Sequence, residues 1–349
     1  MTHSKFIIHS LLLTALLLSL VILDLCIGST NLFSLDSNDP LFSTILYNFR
    51  LPKTLTSIIA GSGLAVCGLL MQSLFRNPLA GPDVLGITSG SHLFVAIATM
   101  LLTSIHFSGF YFFGKSIVTL FSIVGALLVT VLILVVSKKS KSNVTILLVG
   151  LMLAQLLGAF QGLIEFVSNA DSLKTFIMWS MGSVSNTTLN DLLFIFPIYA
   201  IGIIGCFFLI KPLNAILLNE TYAHNLGINV SRLRIQIIVI TSVLVGLITA
   251  FCGPIAFVGI SVPIASRLFY KTSNHKHQLV FCLLLGASIV VGSDLICQLF
   301  TSPAFAFLAH LLFKIELSHQ FTLPINTITT LIGSPIVIYL LFKSKLRIA

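Results

Sequence analysis

Few residues in this sequence could do chemistry, and they lie far apart. Asp294 is a carboxylate inside the apolar run 278–300. An ionisable group there is costly and marks either a functional centre or a hydrogen-bonded structural one. No proton-relay partners for Asp294 are visible in the sequence. Arg50 and Lys53 stand at the mouth of the apolar stretch 54–74. They read as interface anchors, with basic ends snorkelling to water, although they stand on the side that the positive-inside rule depletes of charge. The nine histidines are dispersed. The densest pair, His275 and His277 with Lys276 and Lys271, reads as a basic surface turn rather than a metal site. The six cysteines form no Cys-x-x-Cys pair and read as small apolar residues. Residues 109–116 fit the letter pattern of a phosphate-binding loop. That loop needs a soluble strand before it and small residues in it, whereas this one is aromatic and lies between apolar runs. No nucleophile–base set can be argued, so no catalytic activity, metal or cofactor is expected.

The elements that hold these residues are set by composition. The chain is 56% hydrophobic and 8% charged over 349 residues, against about 25% charged in a soluble protein. Most of it must face lipid or other helices. Runs near 20 residues without short alternating strands predict an all-α polytopic membrane protein rather than a β-barrel. Ten membrane helices are predicted, at 6–27, 54–74, 86–104, 116–137, 144–167, 191–210, 233–251, 254–269, 278–300 and 325–342. They form one membrane domain over 1–349. The first run is too long for a cleaved signal and is expected to remain as a span.

With the N-terminus inside, 14 of the 19 basic residues fall on inner loops and ends. Five fall outside: Arg50, Lys53, Lys115, Lys174 and Lys314. The positive-inside rule therefore predicts both termini inside. It also accounts for the net charge of +9 without nucleic acid.

Several stretches carry more than hydropathy. In 54–74, Gly61, Ser62, Gly63, Ala65, Cys67 and Gly68 make a thin helix that neighbours can approach. Asn77-Pro78 and Gly81-Pro82 set turns after it. Gly158 and Gly162, flanking Gln161, form a Gly-x-x-x-Gly pattern suited to helix packing. The most polar inner loop, 211–232, contains Asn219, Glu220, Ala223, Leu226 and Gly227, spaced for a short glycine-capped helix. Such a helix is a handle for a partner, or else a solvated connector. Pro254 and Pro263 predict a broken helix in 253–270.

These motifs together resemble the FecCD family of ABC importer permeases for iron chelates, haem and cobalamin. The matching runs are Arg50-Leu51-Pro52-Lys53, Met71-Gln72, Asn77-Pro78-Leu79-Ala80 and Leu85-Gly86-Ile87-Thr88-Ser89-Gly90. Further matches are Trp179-Ser180-Met181-Gly182-Ser183, Gly253-Pro254-Ile255-Ala256-Phe257-Val258-Gly259, and Leu331-Ile332-Gly333-Ser334-Pro335. The resemblance covers nearly everything from about residue 45. The departures are Lys53 for a second arginine, Ile264 for a histidine, and a divergent outer segment over 301–322.

The resemblance implies a type II ABC importer permease fold in the bacterial inner membrane. It implies a cytosolic ATPase dimer gripping Asn219, Glu220, Ala223, Leu226 and Gly227. A periplasmic substrate-binding protein would dock at Arg50 and Lys53, and a second permease copy or paralogue would complete the path. Met71, Gln72, Asn77, Pro78, Gly158, Gln161 and Gly162 would belong to the translocation pathway and its packing. A ferric siderophore is the first-choice substrate. An ion-driven secondary transporter is the alternative class, and it would have to use Asp294.

Overall fold

The computed structural model describes residues 3–28, 40–101, 108–139, 143–300 and 323–343. Among these there are helices and turns and no strands. The helices are α1 His3–Cys26, α2 Pro40–Phe75, α3 Ile87–Ala96, α4 Ser108–Lys139, α5 Asn143–Val167 and α6 Ala170–Ser180. Then follow α7 Leu189–Phe208, α8 Ile210–Leu218, α9 Glu220–Asn225 and α10 Val230–Cys252. The last three are α11 Val258–Phe269, α12 His275–Phe300 and α13 Ile325–Lys343.

Seven helices are long and apolar enough to span a membrane, and three shorter apolar ones accompany them. Those ten coincide with the ten predicted spans. Three features differ. Helix α2 begins at Pro40 and includes a π-helical turn, Ile45–Arg50, so Arg50 and Lys53 lie inside a helix instead of at its mouth. Helix α6 was not foreseen; Asn169 caps it by accepting the Ser172 N–H. The break predicted at two prolines falls only at the first. Gly253 and Phe257 both take positive φ there, while Pro263 sits within α11.

Helix α2 is the centre of the bundle. It is buried along almost its whole length from Pro52 to Phe75. Leu64, Val66, Leu70 and Met71 join one core with Ile133 of α4, Ile237 and Leu244 of α10, Val262 of α11 and Val290 of α12. Burial of such side chains is worth about 1.5–3 kcal/mol each in water; in lipid, close packing and interhelical hydrogen bonds take over that role. Here Ser62 shares a hydrogen bond with Tyr199 at 2.6 Å and Thr56 with Thr187 at 2.6 Å. Ser122 donates to the Gly246 carbonyl at 2.9 Å. Helix α1 is peripheral, with Ile8, Leu11, Leu12, Leu18 and Ile22 exposed as a lipid-facing surface would be.

Residues 109–116 fall within α4. A continuous helix cannot wrap its amides around phosphates, in accord with the rejection of that motif. All six cysteines are free, five of them buried. The divergent segment 301–322 and part of the outer loop, 29–39, lie outside the described residues.

Candidate functional site

Orientation follows the charge distribution, so the Lys53 end of α2 is outer and the Ser73 end inner. At the outer end, three buried ionisable groups meet. Lys53 Nζ lies 2.7 Å from Asp294 Oδ2 and 3.6 Å from Asp24 Oδ1. Gln298 Nε2 donates to Asp24 Oδ1 at 2.6 Å and to Asp294 Oδ2 at 2.9 Å. Thr54 Oγ1 donates to Asp24 Oδ2 at 2.5 Å. Arg50 Nη1 donates to the last carbonyls of α1, Leu25 O at 2.6 Å and Cys26 O at 2.8 Å, complementing the negative end of that helix. The cluster ties α1, α2 and α12 together, and Asp294 and Gln298 also border a cleft of about 830 Å³ with Lys174 and Trp179.

Asp294 has charged and hydrogen-bonding partners, as a structural hydrogen-bonding role requires. Arg50 and Lys53 are buried within the chain instead of standing at a helix mouth. The cause is the early start of α2, which carries both side chains against α1 and α12. Asp24 was missed. Its signal was available as the one acid in the first apolar run, but its partners are distant in sequence.

The middle of the α2–α12 pair is a backbone contact. A Cβ on Gly61 would collide with the Gly286 carbonyl oxygen, and one on Gly286 with that of Gly61. Farther in, a Cβ on Gly68 would collide with Gly259 of α11. Met71 and Gln72 are fully buried near this level. Gln72 Nε2 donates to Ile260 O at 3.1 Å, while its Oε1 has no partner among the described residues. Both side chains are enclosed by the described helices. Asn77 and Pro78 form the turn after α2, where Asn77 Oδ1 accepts the Leu79 N–H at 2.9 Å.

At the inner end, His275 is buried, contrary to the surface turn expected. Its Nε2 lies 2.7 Å from Ser73 Oγ of α2, and its Nδ1 lies 2.8 Å from Asn214 Oδ1 of α8. The polar character of 271–277 was legible, but the three-helix junction beneath it was not. Ile264, in place of the family histidine, is buried in apolar packing.

Helix α9 is the short helix predicted in the inner loop, and α8, which was not predicted, precedes it. Asn219 caps α9 by accepting the Thr221 N–H at 3.2 Å, and Gly227 follows it at φ 79°, a conformation open to glycine at little cost. Leu226 and Tyr222 are exposed, whereas Ala223 is fully buried. Ala223 therefore anchors the helix from beneath. The Glu220 side chain lies outside what the structure describes.

Helix α5 contrasts with α2. Leu148, Met152, Phe160, Leu163 and Phe166 are exposed. A Cβ at Gly158 or Gly162 would meet nothing within 4 Å, so among the described residues no helix packs on this Gly-x-x-x-Gly pattern. Gln161 Nε2 donates to Glu165 Oε1 at 2.9 Å. Among the described residues, no group of three or more potential metal ligands exists.

Comparison with known proteins agrees with this architecture. The sequence pattern of the FecCD transport family matches residues 11–343. The hemin transport system permease HmuU of Yersinia pestis is 29% identical, over 96% of this chain and 96% of its own. The vitamin B12 import permease BtuC of Klebsiella pneumoniae is 30% identical, over 96% and 93%. A solved metal-chelate type ABC transporter in an inward-facing conformation superposes with a TM-score of 0.79 at 29% identity, covering 96% of this chain and 99% of that one.

Proposed function

This chain belongs to the FecCD transport family, the membrane permeases of ABC importers, and we propose that it passes an iron chelate through the bacterial inner membrane. A ferric siderophore is the first choice. Haem and cobalamin are the alternatives, in keeping with the relatives' named substrates. Two permeases would face each other across α5, whose exposed apolar side and unfilled glycines suit a partner copy. A periplasmic binding protein would deliver the chelate to the outer face that Arg50 and Lys53 underlie. ATP hydrolysis belongs to a separate cytosolic subunit pair.

The observation that carries this reading is α9. Tyr222 and Leu226 project from the most polar inner loop, while Ala223 fastens the helix below. An apolar knob on a polar loop is a handle for a protein partner, here the ATPase. The ion-driven alternative depends on Asp294, which Lys53 already occupies at 2.7 Å.

The test is uptake into proteoliposomes holding the permease with its ATPase, with binding protein added, comparing ferrichrome, haem and cyanocobalamin. Uptake of one ligand that needs every component, and that Gly227→Asp abolishes, is the expected result. Uptake that persists without the ATPase and follows an ion gradient would overturn it.

A further inference from the structure

Helices α2 and α12 are joined at three levels. Lys53 meets Asp294 at the outer end, Gly61 meets Gly286 in the middle, and Ser73 meets His275 at the inner end. The positions run oppositely: 53, 61, 73 on α2 against 294, 286, 275 on α12. Such a pair is straight, antiparallel and in register over the whole interval, about 30 Å at 1.5 Å per residue. A salt bridge, a backbone contact without intervening side chains, and a hydrogen bond leave it little freedom to shear.

The inner end of this strut is also where α8 attaches. Asn274 Oδ1 accepts the Lys276 N–H at 3.0 Å, so the Asn214 group that reaches Asn274 Oδ1 at 3.2 Å is its amide Nδ2. Asn214 Oδ1 is then free to accept, and it takes the His275 backbone N–H at 2.9 Å. The His275 nitrogen facing the same oxygen at 2.8 Å, Nδ1, must therefore carry the ring proton. That leaves Nε2 unprotonated 2.7 Å from Ser73 Oγ, whose single proton is shared between Nε2 and the Leu69 carbonyl oxygen at 2.8 Å. Asn214 thus fastens the start of α12 from a different helix, and the imidazole passes that hold across to α2. A second tie comes from the end of α2, where Arg76 Nη2 donates to Ile216 O of α8 at 2.6 Å.

We propose that His275 is a positioning residue for transport: it joins the α8–α9 segment to the α2–α12 strut, so that displacement of the inner loop reaches the outer Lys53–Asp294–Asp24 cluster as motion of one body. The proposal rests on α9 being the handle of the ATPase. A merely structural cap would predict a different result, namely loss of stability with transport and hydrolysis falling together.

The test compares molecules imported per ATP hydrolysed in the complete transporter, using ferrichrome, haem and cyanocobalamin in turn as probes. The chains are wild type, His275→Phe and His275→Gln. Phenylalanine fills the ring's space without bridging, and glutamine offers one donor and one acceptor. We expect His275→Phe to lower the import-to-hydrolysis ratio about tenfold, and His275→Gln to restore at least about half of it. A ratio in His275→Phe within about twofold of wild type overturns the proposal. So does a glutamine variant no better than phenylalanine, which would mean that the ring only fills space. Should His275→Phe fail to reach the membrane, Asn214→Ala cuts the same joint from the other side, with the same expectation and the same refutation. Wild type that imports none of the probes under ATP, but imports one under an ion gradient, would remove the ABC reading itself; uncoupling that fails to appear in an importing transporter removes only the joint.

Discussion

Helices α2 and α5 carry similar small-residue patterns and lead opposite lives. In α2, every glycine from Gly61 to Gly68 has a neighbour against it, and two of those neighbours are backbone. In α5, Gly158 and Gly162 face nothing among the described residues, beside exposed leucines and phenylalanines. Small residues state that something comes close; they do not state what. In α2 the something is α10, α11 and α12 of the same chain. In α5 no described residue of the chain supplies it.

This contrast makes graded predictions. Gly68→Val should have the largest effect, because its new side chain meets the Gly259 backbone, which cannot rotate away. The expected loss is more than about 4 kcal/mol, seen as absence of a monodisperse peak in detergent chromatography. Lys53→Ala comes next. It leaves Asp24 and Asp294 buried without their cation, at a cost of about 3–5 kcal/mol in thermal or denaturant unfolding. Pairing it with Asp294→Asn should recover part of that loss, since one buried charge is then removed. Tyr199→Phe deletes the bond to Ser62 of α2 and should cost about 1 kcal/mol. Gly158→Leu should change the stability of the single chain by no more than about 0.5 kcal/mol, yet abolish uptake in the assembled transporter. Were Gly158→Leu to unfold the chain in detergent, α5 would have an internal partner and the contrast would fail.

Much of this was legible in the sequence. The ten apolar stretches, the capped helix at 219–227 and the thin faces of α2 and α5 follow from hydropathy and residue size alone. Three things were not. The start of α2 at Pro40 was hidden because Arg50, Pro52 and Lys53 interrupt the apolar stretch 41–49, which then reads as part of the outer loop. Asp24 was overlooked since its meaning depends on Lys53 and Asp294. His275 looked like part of a basic turn, because composition reports how polar a stretch is and not which side chain turns inward. In each case the missing information was a contact between residues distant in sequence.

The ionic cluster at the outer end also bears on the order of synthesis. Asp24 is made first, and Thr54, which bonds it, follows thirty residues later. Gln298, its amide partner, follows 274 residues after Asp24. Until α2 emerges, α1 carries an unaccompanied carboxylate, which lipid disfavours. The first two helices are therefore best released into the bilayer as a hairpin, already neutralised by Lys53. Asp294 finds its cation waiting when α12 arrives last of the three. A nascent chain truncated before Lys53 should accordingly leave α1 slow to partition from the insertion machinery into lipid.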